Sequence, residues 1–179
     1  MYWCKKRSLV ITAFSLLVVF LAACKPDTKE TNFFDLKGYF TKEAARLQKQ
    51  NKPVFKTVEH NGVVESKKVN IVDWNAELIL FKESDINKPA WSSSYDVTSD
   101  SSITIYKAKD ADLRTKELII KRANGKVKWI LVYNHVKNML YETHEKLSYF
   151  PDSLYLIEKM QAVRILGINR YRVKGSFAQ

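Results

Sequence analysis

Glycine is scarce in this chain, with five in 179 residues. Sites that cradle phosphate with bare backbone need several glycines at fixed spacing, and neither a phosphate loop nor a dinucleotide fingerprint occurs. The His-Glu-x-x-His helix of zinc proteases and the Gly-x-Ser-x-Gly elbow of serine hydrolases are also missing. Cysteine is rarer still, at Cys4 and Cys24 only, so no disulfide framework and no cysteine zinc site can be written. Three histidines are present, His60, His135 and His144. His60 and His135 fall in predicted turns, where an imidazole is solvated. His144 falls in a predicted strand with Glu142 on the same face, while Thr143 and Glu145 point the other way. Two ligands fall short of the three or four that a metal site takes, so neither a metal nor a cofactor is expected. Asp110 and Asp112 read as turn chemistry. With no nucleophile beside a base, no catalytic residue is assigned and an enzyme is not expected.

What the chain does have begins at its first residues. Lys5, Lys6 and Arg7 form a basic start, Leu9 to Phe20 is an uncharged apolar run, and Leu21-Ala22-Ala23-Cys24 follows. The apolar run is shorter than the 20 or so residues of a membrane-spanning helix, and Lys25 comes almost at once. Ala22 and Ala23 are small enough for a signal peptidase pocket. These residues resemble the export signal and lipobox of bacterial lipoproteins. The resemblance implies cleavage before Cys24, with a diacylglyceryl group on its thiol and an acyl chain such as palmitate on its amine. Two or more such chains hold a protein durably to a bilayer. The expected organisation is a signal peptide over 1–23, a lipidated tether over 24–32 and one domain over 33–179.

The full chain carries 30 Lys and Arg against 19 Asp and Glu, a net charge of +11, and removal of the signal leaves it at +8. Such a balance attracts anionic lipid or an acidic polymer. The lysines are spread along the whole chain rather than gathered in one run, which favours reading them as a solvated surface. Nucleic acid is not expected, because the address is extracytoplasmic.

Phe33, Phe34, Leu36, Phe40, Ala44 and Leu47 recur at helical spacing up to Lys52-Pro53. Asn61-Gly62 sits between Val54–Val58 and Val63–Val69, a strong hairpin signal. Ile71 to Glu83 returns to helical spacing, with Asp73 as a cap, and 91–102 reads as a loop. Strands are predicted at 103–106, 116–122, 126–133, 139–147, 154–160, 162–166 and 171–177, with turns at 135–138, 150–152 and 167–170. The fold class expected is α+β, with N-terminal helices packed on a curved antiparallel sheet, a meander or half-barrel. At the level of topology this resembles the half-barrel carriers that move lipoproteins between bacterial membranes. In general character the chain is similar to small envelope lipoproteins of Gram-negative bacteria.

Around Asn124-Gly125 a two-residue loop would set Ile120 opposite Trp129 and Leu118 opposite Leu131, with Ile119 and Ile130 on the other face. A hairpin apolar on both faces is covered on both. The expected ligand-binding residues are therefore Leu118, Ile120, Trp129, Leu131 and Tyr133, lining an apolar receiver. The expected function is a non-enzymatic outer-membrane lipoprotein, its domain in the periplasm or on the cell surface, binding a lipid or other apolar ligand. The alternative is a structural or adaptor subunit that meets an envelope protein partner.

Overall fold

The first helix shows why the chain folds as it does. In this computed structural model, which describes residues 33–177, α1 spans Leu36–Gln50. The Asp35 carboxylate accepts a hydrogen bond from the Gly38 amide at 2.7 Å, satisfying one of the orphan donors of the first turn. A side chain at position 38 would collide with that carboxylate, so Gly38 makes room for the cap. Asn51, in the left-handed region at φ 47°, ends the helix by donating to the Leu47 carbonyl. Leu36, Phe40, Ala44 and Leu47 form its buried stripe.

Val54–His60 (β1) and Val63–Val69 (β2) form the expected hairpin. Asn61 and Gly62 both take positive φ, at 50° and 89°, as its turn requires. The next helical stretch is split into Trp74–Glu77 (α2) and Ile79–Glu83 (α3), because Leu78 departs from helical geometry. Asp73 caps α2 by accepting from Asn75 and Ala76. Trp74, Leu78 and Phe81 are all buried, as their spacing predicts. Residues 95–99, expected as part of a loop, form the edge strand β3 (Tyr95–Ser99). Only Tyr95 of β3 is buried, so its sequence carries little alternation to read. There follow β4 (Ile103–Ala108), β5 (Thr115–Ala123), β6 (Lys126–Lys137), β7 (Tyr141–Phe150), β8 (Leu154–Val163) and β9 (Gly167–Phe177).

These strands make a single antiparallel sheet in the order β2-β1-β9-β8-β7-β6-β5-β4-β3. The class is α+β and the sheet is open, not closed into a barrel. From β3 to β9 it is a meander, and the first hairpin joins it by pairing β1 with β9, Val58 opposite Val173. Two expected boundaries are corrected. The strands predicted at 154–160 and 162–166 are one strand, β8, and the turn after it lies at 164–166 rather than 167–170. The turn after β6 comes later than predicted, so His135 stands in the strand. Asn138 sets that turn, its side chain accepting from the amides of Leu140 and Tyr141 at 2.9 Å each. His60, too, lies in a strand.

Helices α1, α2 and α3 cover one face of the sheet. Leu118, Val132, Leu147 and Ile157 lie in register across β5 to β8 on this face, beside Ile120, Ile130, Tyr149 and Tyr155 in the next row. Phe40 stacks on Phe81 and meets the edge of Tyr149 with centroids 5.0 Å apart. The second row meets Gly175, opposite Tyr155, where a β-carbon would run into the Tyr155 ring. Glycine there lets an aromatic lie across the strand beside it. Among the described residues, no helix is long and apolar enough to cross a membrane.

Candidate functional site

The face opposite the helices carries a second set of ordered rows. Ile105, Ile119 and Leu131 are cross-strand neighbours on β4, β5 and β6, and the row continues through Ser148 to Leu156 on β8. The aliphatic members are half-buried and stand outside the core beneath the helices. The adjoining row is polar: Tyr133, Lys146, Glu158, Arg172 and Glu59, one from each of β6, β7, β8, β9 and β1. The next is His135, His144, Met160 and Arg170. The last two rows line a trough of about 550 Å³. Lys146 stands over the Tyr133 ring at 5.8 Å, and Arg172 pairs loosely with Glu158 at 3.6 Å.

The five residues singled out in the sequence divide between the two faces. Trp129, Leu131 and Tyr133 are half-buried on the open face, whereas Leu118 and Ile120 are sealed in the core under the helices. The expected pairing is overturned: Ile120 faces Ile130, Leu118 faces Val132, Ile119 faces Leu131, and Trp129 faces Lys121. The cause is a bulge. Arg122 pairs with Val127 but Lys121 with Trp129, so Lys128 has no opposite number. One extra residue in β6 exchanges its two faces relative to β5.

Two polar constellations escaped the sequence. The first is internal. Glu145 accepts from Arg114 Nη2 at 3.0 Å and Asn134 Nδ2 at 3.1 Å, and Asn134 Nδ2 also donates to Ser84 Oγ at 2.8 Å. Burial raises the Glu145 pKa, but the Arg114 and Asn134 hydrogen bonds and the charges of Arg114 and Lys159 outweigh it, and the carboxyl lies below its ordinary value. This cluster ties α3 to β5, β6 and β7, a structural role. The second lies at one end of the trough. His135 and His144 face each other across β6 and β7 with rings stacked 4.3 Å apart. His135 Nε2 is 2.9 Å and His144 Nε2 3.3 Å from the same Glu142 oxygen, Oε1. The other Glu142 oxygen pairs with Lys137 at 3.2 Å. The His135 and Lys137 hydrogen bonds hold the Glu142 carboxyl below its ordinary pKa. The sequence did show Glu142 and His144 on one face; the shift of the turn to Asn138 adds His135. His60 instead stacks on Tyr171 at 4.4 Å. Asp110 and Asp112 are exposed between β4 and β5. Cys24 and the lipobox lie outside the described residues.

Fold and site together define an α+β protein with an open antiparallel sheet, helices on one face and, on the other, an apolar row beside a polar trough. Compared with family models, curated proteins and solved structures, the chain matches none.

Proposed function

We propose that this protein is an envelope lipoprotein, anchored through Cys24, that binds an acyl lipid with an anionic head on the open face of its sheet. The observation that supports this reading is the order of rows on that face. An apolar row, Ile105, Ile119, Leu131 and Leu156, lies next to a row bearing Lys146 and Arg172, with Arg170 beyond it. An acyl chain laid along the first leaves its head group beside Lys146 and, past the Arg172–Glu158 pair, Arg170, so hydrophobic burial and charge pairing act together. The net charge of +8 after removal of the signal favours the same ligand class. The role is binding rather than catalysis.

The test is photo-crosslinking in cells that express the full chain and are fed a photoactivatable fatty acid. The expected result is an adduct mapping to peptides of β5, β6 or β8, lost in Leu131→Trp, whose indole fills the row. Equal labelling of parent and variant, or labelling only near Cys24, would remove this reading.

A second reading, an adaptor that docks an envelope protein, draws on a different observation. The β6–β7 and β8–β9 turns lie side by side, joined by the Arg164 amide to the Leu140 carbonyl at 3.1 Å. Met139, Leu140, Ile165 and Leu166 are 70–92% exposed there. Exposed apolar clusters of this kind mark contact surfaces. Replacing all four by serine should then release a partner recovered by crosslinking in intact cells, with the acyl adduct unchanged.

A further inference from the structure

We infer that His135, Glu142 and His144 form a binding site for a borderline divalent cation, zinc foremost. The site is separate from the acyl-binding reading and does not depend on it. The donor set is two imidazoles and one carboxylate, the combination found in open zinc sites, and imidazole suits the borderline first-row metals generally. The three donor atoms already lie within 4.8 Å of one another. Around a tetrahedral zinc with bonds of about 2.0–2.2 Å, donor atoms stand roughly 3.3–3.5 Å apart. Here Glu142 Oε1 is 2.9 Å from His135 Nε2 and 3.3 Å from His144 Nε2. Entry of an ion needs the carboxylate oxygen to draw back a few tenths of an ångström from His135 and the two imidazoles, stacked 4.3 Å apart, to tilt until their in-plane Nε2 lone pairs converge on one point.

The backbone holds this arrangement without any ion. His135 and His144 are directly opposed across an antiparallel pair, and Glu142 shares the face of His144 two residues away. The rings, stacked 11° from parallel, place both Nε2 atoms beside the same carboxylate oxygen, so a tilt of the side chains, with no backbone movement, is what ligation asks of the site. Lys137 holds the other oxygen at 3.2 Å and orients the carboxylate as an outer partner does in established sites. The side chains are between 29% and 49% exposed, so a hydrated ion reaches them. Three protein donors leave a coordination position for water or for a ligand group lying in the trough, which His135 and His144 line. Lys137 and Arg170 nearby oppose a cation, which sets the affinity below that of a closed structural zinc site.

The test uses the full chain in detergent, without a histidine tag and stripped with a chelator, titrated calorimetrically with zinc chloride. Cobalt(II) serves as the spectroscopic probe. The expected result is one ion per chain, with cobalt bands characteristic of nitrogen and oxygen ligation. His144→Ala and Glu142→Gln should each weaken binding by at least about tenfold, while His60→Ala leaves it unchanged. Glu142→Gln preserves shape and the hydrogen bond to His135, so its effect reports ligation rather than folding, and the unfolding midpoint of each variant is measured alongside. The inference is overturned if the parent shows no saturable binding at one equivalent. It is also overturned if His144→Ala and Glu142→Gln bind as the parent does, or if the cobalt spectrum shows thiolate ligation.

Discussion

Tyr149 donates its phenolic hydrogen to Glu43 at 2.5 Å, joining the seventh strand to the first helix across 106 residues of sequence. Arg46 donates to both oxygens of Glu43, sharing Oε1 with Tyr149, and also reaches Asp152 at 2.8 Å. Burial, and then the charge of Glu43 and its hydrogen bond, push the Tyr149 hydroxyl far above its ordinary pKa, so it keeps its proton and donates it. Tyr155 repeats the device with Glu77 at 2.5 Å. Each carboxylate stands where a helix meets the sheet, and each tyrosine buries its ring in the core while its hydroxyl satisfies the charge.

Tyr149→Phe keeps the ring and removes the donor. Loss of a hydrogen bond to a charged group costs about 1.5–3 kcal/mol, and the retained Arg46 pair places this variant toward the lower figure. Urea unfolding of parent and variant should show a lower midpoint with an unchanged slope. An unchanged midpoint would mean that Tyr149 and Glu43 do not share a proton in the folded protein.

Leu118 and Trp129 separate the observed register from the simpler one. Leu118→Ala should cost about 2–5 kcal/mol, as core truncations do, whereas Trp129→Ala, on the open face, should cost about 1 kcal/mol or less. The reverse order would place Trp129 under the helices and remove the bulge at Lys128.

Glu145 has a folded-state pKa below its ordinary value, so it binds its proton less readily in the folded than in the unfolded chain. Its contribution is complete above the unfolded carboxyl pKa of about 4.3 and is lost as pH falls through the lower folded value. Glu145→Gln should therefore destabilise the protein by about 1–3 kcal/mol at neutral pH. The difference from the parent should shrink steadily below about pH 4.3. A difference that stays constant down to pH 2 would mean that the carboxylate is not stabilised by Arg114 and Asn134.

Cys24→Ser tests the anchor. The variant should take up no labelled palmitate and should accumulate as unprocessed precursor in cell fractions. Processing and membrane retention equal to the parent would remove the lipoprotein reading and, with it, the proposed location.

Features written in neighbouring residues were readable in advance. The buried stripe of α1, the cap at Asp73 and the turns at Asn61-Gly62 and Asn124-Gly125 each depend on a few adjacent side chains and on backbone sterics. So did the α+β class, since helical spacing at the N-terminus followed by strand after strand leaves few other architectures. The edge strand β3 was hidden because one neighbour and one buried residue leave no alternating pattern. Of the residues expected on the open face, Trp129, Leu131 and Tyr133 lie there, and Leu118 and Ile120 do not.

Local chemistry, then, determined by itself the first helix, the two Asn-Gly turns and the antiparallel α+β class. Only the tertiary structure decided which side of each strand meets the helices. Strand side chains alternate with a period of two, so one unpaired residue, Lys128, exchanges the faces of β6 from Trp129 onward. Only the tertiary structure brought His135 to Glu142 and His144, because a cross-strand neighbour is set by where the turn falls. A shift of a few residues in that turn separates a solvated histidine from one stacked on its partner 4.3 Å away.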